Sequence, residues 1–215
     1  MGGEVAEITL MADLGSTTGN SEMTLLIERA REGDAAAFDQ IMVCYQRTVI
    51  STAWRLLGNR EDARDAAQEV FLRVYKYLGR FKRGEDFAGW LYRITVNVCN
   101  DMRRKRKQTQ QISSLDDNEI EGNLERIAGG SDAESSAIRS QQRTIIAEAL
   151  GTLTEKERAA VVLRDLEGLS TDEVARVLGS SRSTVRSQIS YGRAKIKKYR
   201  DRLLSRGYKR DSERG

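Results

Sequence analysis

Proline is absent from all 215 residues of the chain. Such a chain lacks the one residue that breaks a helical hydrogen-bond ladder outright. Its helices must be started and stopped by softer signals, and these recur along its length. Leu25, Leu26 and Ile27 lead to Gly33-Asp34, a stop followed by a capping residue. Phe38, Ile41, Met42, Tyr45, Val49 and Trp54 then recur at spacings near three and four, until Gly58-Asn59 ends the run. Asn59 is placed to cap a further helix whose first turn carries Glu61 and Asp62, the sign a helix N-terminus favours. That helix is expected to reach about Leu78. The loop "GRFKRGED" leads into a fourth, from about Phe87 to Lys107. Periodicity resumes at Ile138, Gln142, Ile145 and Ala149. "TEKE" from Thr154 and "STDE" from Ser170 both have the capping-box pattern. No segment alternates with the period of a strand. The expected fold class is all-α.

Between the two helical stretches the composition changes. Thr109 to Ser136 is rich in Ser, Gly and Asn and carries Asp116, Asp117, Glu119, Glu121, Glu125, Asp132 and Glu134. This reads as an acidic flexible linker between basic neighbours. The expected organisation is a disordered leader over residues 1–20, a helical domain over 21–108, the linker over 109–136, a second helical domain over 137–204 and a disordered tail over 205–215.

Histidine is also absent, and the chain has two cysteines, Cys44 and Cys99. That removes His-based metal sites, Ser-His and Cys-His nucleophilic pairs and zinc fingers in their usual form. No phosphate-cradling glycine loop and no paired-carboxylate cleft is legible. No catalytic residue, metal or cofactor is therefore expected, and an enzyme is rejected. A disulfide between the cysteines is formally possible, but two buried thiols in a cytosolic protein is the better reading. Charged residues make up 32% of the chain. No apolar run is long enough to cross a bilayer, and no basic segment followed by an apolar core marks a signal peptide. A cytoplasmic location without membrane insertion is expected. The net charge is only +4, so the charge must be judged by where it sits.

It sits most tellingly in "STDEVARVLGSSRSTVRSQISYGRAKIKKYR", from Ser170 to Arg200. Val174, Ala175 and Leu178 give a short helix an apolar stripe, and Gly179 allows a tight turn. Ser183 is placed to cap a longer helix buried through Val185, Ile189, Gly192 and Ile196. Short helix, glycine turn and long helix make a helix-turn-helix. The other face of the long helix holds Arg182, Thr184, Arg186, Ser187, Ser190 and Arg193, donors suited to phosphates and to base edges in a major groove. Cations at the C-terminal end of a helix can be explained by its dipole alone. Cations at its N-terminal end cannot, so this face is read as nucleic-acid binding.

Two further surfaces are candidates. In "DMRRKRK", from Asp101 to Lys107, a basic run follows Phe87, Trp90 and Tyr92 on the same helix. Rings beside cations suit the stacking of unpaired bases. For Phe87 and Trp90 together, base stacking and core packing weigh about equally; Phe87→Ala is expected to impair melting, and Trp90→Ala to lower thermal stability if its indole is mostly core. In "NREDARDAAQEVFLRVYKYL", Ala67, Val70, Phe71, Val74 and Leu78 form the buried stripe. Asp65, Gln68, Glu69, Leu72 and Lys76 fall elsewhere. A leucine ringed by polar groups on a rigid helix points to a protein partner.

"EDARDAAQEVFLRVYKYLGRF", "FAGWLYRITVNVCNDMRRKRK" and "LTEKERAAVVLRDLEGLSTDEVARVLGSSRSTVRSQISYGRAKIKK" resemble regions 2 and 4 of extracytoplasmic-function (ECF) sigma factors, the small two-domain specificity subunits of bacterial RNA polymerase. The resemblance runs from about Ser21 to Tyr199. It implies that Asp65, Gln68, Glu69 and Leu72 contact core polymerase. It implies that the loop Lys82 to Asp86, Arg83 included, captures flipped bases of the −10 element with Phe87, Trp90 and Asn97, and that Arg103, Arg104 and Lys105 hold the flanking backbone. The helix from Ser183 resembles the reader of the −35 element. The implied partners are core RNA polymerase, duplex promoter DNA, the melted −10 strand and a restraining anti-sigma factor. The family often has proline where this chain has Thr154 and Ser181. A sigma-like mimic that only titrates an anti-sigma factor is the competing reading, but such mimics tend to lose the basic face of the recognition helix, and here it is intact.

Overall fold

A computed structural model describes residues 17–82, 84–113 and 133–212 of the chain, and among these all regular structure is helical. The elements in order are α1 (Thr17–Arg31), α2 (Ala35–Leu57), α3 (Arg60–Tyr77), a short 3-10 turn (Leu78–Arg80), α4 (Phe87–Ser113), α5 (Ala133–Gly151), α6 (Glu155–Val161), a π-helical turn (Val162–Leu166), α7 (Thr171–Leu178) and α8 (Arg182–Ser212).

Local caps account for most of the boundaries. Asp34 Oδ1 accepts from the Ala37 amide at 3.1 Å. Asn59 Oδ1 accepts from the amides of Glu61 at 2.8 Å and Asp62 at 3.3 Å. Each satisfies donors that a helix start leaves without partners. Thr154 and Ser170 both close reciprocal capping boxes, with Glu157 and Glu173. α2 ends on Gly58 at φ 79°, and α7 ends on Gly179 at φ 59°. Both are left-handed conformations that a side chain resists.

Four boundaries differ from the sequence expectation. α1 already begins at Thr17, inside the stretch expected to be a leader. α4 continues to Ser113 and α5 begins at Ala133, so helix overlaps both edges of the expected linker. α8 continues to Ser212, through the start of the expected tail. The reason is the same for α4 and α8. Arg, Lys and Gln are good helix formers, and no strong stop follows the last apolar residue. The rest of the expected leader and linker lies outside the described residues.

In the first half α2 packs between α1, α3 and α4. Its Ile41, Val49 and Ala53 meet a core that includes Met23 and Ile27 of α1, Val70 and Val74 of α3, and Leu91 and Val98 of α4. In the second half α6 lies against α8. Val161, Val162, Leu163, Val174, Val185 and Ile189 are buried there. Gly192 lets α8 approach closely, because a Cβ at that position would stand 2.6 Å from Val161 Cγ2.

The two halves also touch through polar groups. The Arg158 guanidinium of α6 is only 5% exposed. It donates to the carbonyls of Leu150 at 2.8 Å and Leu153 at 3.3 Å within its own half, and to Leu56 at 2.8 Å on the last turn of α2. Burial pushes its pKa down to about 10, so it still carries its charge at neutral pH. No carboxylate is needed beside it, because backbone carbonyls take its donors.

Candidate functional site

On α3 the expected buried stripe is in place, with Ala67, Val70, Val74 and Leu78 enclosed and Phe71 partly so. The opposite side presents Asp65, Gln68 and Glu69 around Leu72, whose side chain is 65% exposed. Tyr75, one turn on, is equally bare on its outer side. Its ring meets Phe38 edge-on at 5.1 Å. Sequence reading passed over Tyr75, although its spacing of three from Leu72 places the two on one face. Arg73 stiffens this surface. It pairs with Glu69 at 2.7 Å and with Asp101 of α4 at 3.2 Å, and these contacts raise its pKa further.

The start of α4 departs from expectation. Phe87 is 6% exposed and enclosed by rings: Tyr45 at 5.5 Å, Phe81 at 5.4 Å and Trp90 at 5.7 Å between centroids. It is a core residue and offers no free face for a base. Trp90 packs on the rim of the same cluster and is only partly buried. The burial of the two rings is therefore the reverse of the expectation, with Phe87 in the core and Trp90 on its rim. Trp90, Asn97 and Arg104 are spaced by seven, which is close to two helical turns, so they share one side of α4. Asn97, Arg104 and Lys105 are exposed, and Lys82 is exposed at the loop before the helix. Arg83 lies outside the described residues.

Arg103 does not join that stripe. Its guanidinium turns inward and donates to the Leu56 carbonyl at 3.3 Å. It also approaches Glu155 of α6 at 3.9 Å. The C-terminus of α2 attracts it, since the last carbonyls of a helix lack partners and favour a cation. Arg106 is likewise engaged, with Asp62 at 2.8 Å. The basic run is thus divided: Arg103 and Lys107 meet Glu155 of the second half, Arg106 is paired within the first, and Arg104, 3.9 Å from Asp101, and Lys105 face outward.

The helix-turn-helix forms as expected, with one correction to its cap. α8 begins at Arg182, and Ser181 rather than Ser183 supplies the capping oxygen, accepting from the Thr184 amide at 3.1 Å. The Ser181 hydroxyl also meets those of Ser183 at 2.9 Å and Thr184 at 2.8 Å. Ser181 stands where the family often has proline, and it starts the helix by hydrogen bonding instead of by a fixed φ. Arg182, Ser183, Thr184, Arg186, Ser187, Ser190 and Arg193 are all exposed. Val185 and Ile189 point into the core between them.

These residues are not electrostatically alike. Arg182 pairs with Asp172 at 2.5 Å. Arg193 makes a two-pronged pair with Asp165, at 3.0 and 2.6 Å, which raises its pKa. Farther along, Lys195 is held by Glu157 at 2.7 Å. The acid partners lie outside α8, and periodicity along α8 carries no sign of them. Arg186 has no such partner among the described residues, so its five donors are available to a ligand.

Cys99 is buried, and burial pushes its thiol up to about 12. Cys44 is partly buried and shifted the same way. Neither has the depressed pKa of a reactive thiol. Among the described residues no helix is long and apolar enough to cross a membrane.

The model of sigma-70 region 2 matches residues 41–109, and that of sigma-70 region 4 matches residues 143–196. Among curated proteins the chain is 31% identical to the RNA polymerase sigma-H factor of Pseudomonas aeruginosa over 182 residues, covering 83% of this chain and 94% of that protein. It is 32% identical to the ECF RNA polymerase sigma-E factor of Escherichia coli over 177 residues, covering 80% of this chain and 91% of that protein. Among solved structures it resembles the sigma factor RpoE of Bartonella quintana in complex with the anti-sigma factor NepR, with a TM-score of 0.62 and 21% identity over 76% of this chain and 96% of that one. It also resembles CnrH in complex with the cytosolic domain of CnrY, with a TM-score of 0.61 and 24% identity over 83% of this chain and 96% of that one.

Proposed function

The chain belongs to the ECF group of sigma-70-family sigma factors, and on that premise we propose how its surfaces divide the work of starting transcription. Leu72, with Asp65, Gln68, Glu69 and Tyr75 around it, docks on core RNA polymerase. The exposed face of α8 lies in the major groove of the −35 element. There Arg186 is the principal reader of base edges, with Ser187 and Ser190 beside it. Trp90, Asn97, Arg104 and Lys105, with Lys82 and Arg83 from the preceding loop, hold the melted −10 strand. Trp90 replaces a stacking partner that an unpaired base has lost. The protein performs no chemistry of its own. It acts on DNA in the bacterial cytoplasm, and an anti-sigma factor restrains it.

The observation that carries this reading is Arg186, an exposed arginine without a partner among the described residues, flanked by hydroxyls on the outer face of a helix-turn-helix. A solvated face would gain nothing from leaving a cation unpaired near a helix N-terminus. The test is transcription of genomic DNA by core polymerase with and without the purified protein, followed by sequencing of transcript starts. New starts sharing a −35 and a −10 motif are the expected result. A protein that binds core polymerase but directs no start would be a mimic instead.

A further inference from the structure

An apolar groove of about 420 Å³ lies in the second half, between α5, the π turn and α8. Ile146 and Ala149 of α5, Leu166 of the π turn and Ile196 of α8 line it. Ile146 is 43% exposed and Leu166 is 44% exposed. Single apolar side chains scattered on a surface call for no explanation, but a concave set of them marks a docking site. Cations stand at its edge, namely Arg193, Lys197 and Arg200 of α8. Arg193 is taken by Asp165, and Arg200 pairs with its neighbour Asp201 at 2.8 Å. Lys197 is exposed, with no ion pair among the described residues. An occupant that fits this groove carries apolar anchors flanked by acids.

The chain itself contains a segment of that chemistry. Residues 114–132, outside the described residues, include "NEIEGNLERIAGG" from Asn118 to Gly130. Asn118 followed three residues later by Glu121 has the form of a helix cap with its reciprocal acid. Ile120, Leu124 and Ile127 are spaced by four and then three, as anchors on one side of a helix are. Glu121 and Glu125 fall on one flank of that side, and Gly129-Gly130 is a stop signal. A helix this short, with Gly122 inside it, is marginal alone. A groove that buries its anchors supplies what it lacks. The length of chain is also sufficient. Ile146 stands roughly 20 Å along α5 from Ala133, at about 1.5 Å per residue. The chain from Ile127 to Ala133 extends up to about 20 Å, so the segment can reach the groove running antiparallel to α5.

We propose that the acidic segment from Asn118 to Ala128 docks as an amphipathic helix in the groove of its own second half, with Ile120, Leu124 and Ile127 against Ile146, Leu166 and Ile196, and with Glu121 and Glu125 toward Lys197 and Arg200. Burial of the anchors supplies the attraction, and the acids fix the direction in which the helix lies. A tethered segment meets its site at an effective concentration in the millimolar range, so a weak contact suffices. The stretch that composition marks as a linker is thus also a ligand of the domain it precedes. Neither the groove nor the segment depends on the promoter reading proposed above.

Hydrogen exchange of the full-length chain, read by mass spectrometry, tests the docking. Backbone amides of residues 119–128 should exchange about tenfold more slowly in the wild type than in Leu124→Asp, which removes the central anchor and leaves the described core untouched. Unprotected amides in the wild type, or equal protection in the variant, overturn the proposal. On the groove side, Leu166→Asp should release the same amides. If that variant unfolds the second half, Lys197→Glu decides, because Lys197 is exposed and the reversed charge should lower the protection severalfold. Unchanged protection in a folded groove variant overturns the groove as the seat. A water-soluble carbodiimide locates the helix. It activates a carboxylate, and an adjacent amine then forms an amide and expels the urea. A link from Glu121 or Glu125 to Lys197 is expected in the wild type. It should fall about tenfold in Leu124→Asp relative to the Lys195–Glu157 link, whose Nζ and Oε2 lie 2.7 Å apart within the second half. A link that is absent from the wild type, or undiminished in the variant, overturns this seating. Isotopically light and heavy chains are mixed before the reaction. Links confined to one label support the chain's own segment, and links between labels would make a second copy the occupant and overturn the intramolecular docking.

Discussion

Phe87 and Trp90 sit one turn apart at the start of α4 with their ring centroids 5.7 Å apart, yet Phe87 is enclosed and Trp90 borders solvent. Phe87 is surrounded because Phe81 approaches it from the preceding turn and Tyr45 from α2. Truncating it should leave a cavity. Phe87→Ala is expected to lose about 3–5 kcal/mol of stability, read as a fall in thermal midpoint, with no selective defect in melting. Trp90→Ala should lose far less stability and should bind duplex promoter with core polymerase while forming little open complex. A base–aromatic stack returns roughly 1–3 kcal/mol. Permanganate reactivity of unpaired thymines checks this. A pre-opened −10 template should restore transcription by the Trp90 variant. The reverse assignment of defects would return Trp90 to the core.

Leu72→Asp should weaken binding to core polymerase at least tenfold, because a central interface anchor is worth about 1–2 kcal/mol or more. Leu72 contributes little to the fold, being 65% exposed, so helicity and melting temperature should be unchanged. Fluorescence anisotropy of the labelled protein against core polymerase measures the affinity. Wild-type affinity in the folded variant removes α3 from the interface.

Arg186 and Arg193 are both exposed arginines on α8, but only Arg193 is paired, with Asp165. Arg186→Ala should cost about 1–3 kcal/mol on the preferred −35 sequence and relax specificity at the base it reads. Arg193→Ala should weaken binding more evenly across sequences. Gel-shift titrations on promoter variants separate the two. Equal loss on every sequence for Arg186→Ala would make it a phosphate contact, with a shallower salt dependence to match.

Gly192 of α8 faces α6 at short range. An added Cβ would meet Val161 Cγ2 at 2.6 Å, and a β-branched side chain in a packed helix has little freedom to withdraw. Gly192→Ala should therefore destabilise the second half by about 1–3 kcal/mol, despite the better helix propensity of alanine. Val161→Ala in the same chain should relieve part of the loss. Thermal denaturation of the single and double variants checks both. A stabilised Gly192→Ala would show that helix propensity outweighs the contact.

Carboxylates of the capping boxes make a pH prediction. Glu157 is held below the usual carboxylate range by its hydrogen bond from Lys195, and Glu173 by its hydrogen bonds with Ser170. A folded-state pKa below the unfolded one means stability that is present above the unfolded pKa and is lost as pH falls through the folded value. The second half should thus weaken as the solution is acidified below about pH 4.5, near the unperturbed glutamate value. Glu157→Gln should flatten that dependence in pH-dependent melts. An unaltered slope would assign the loss to other carboxylates.

Much of this molecule is encoded over short distances. The caps at Asp34, Asn59, Thr154 and Ser170 act on amides two or three residues away, so helix starts were legible. The outward face of α8 follows from apolar spacing alone, and so does the exposure of Leu72, because a helix has one period and one buried side. What the sequence could not show is which of two similar residues has a distant partner. Phe87 and Trp90 have the same local setting, and Arg186 and Arg193 the same local face. Arg193 is taken by an aspartate 28 residues away, and Glu167 is seated by Thr52 at a separation of 115. Arg103, read as a backbone contact, is turned inward by the open carbonyl end of α2. Periodicity records only which side of a helix faces the core. Tertiary packing decides what that side, and the charged groups around it, will meet, because desolvation and charge pairing act through space and not along the chain.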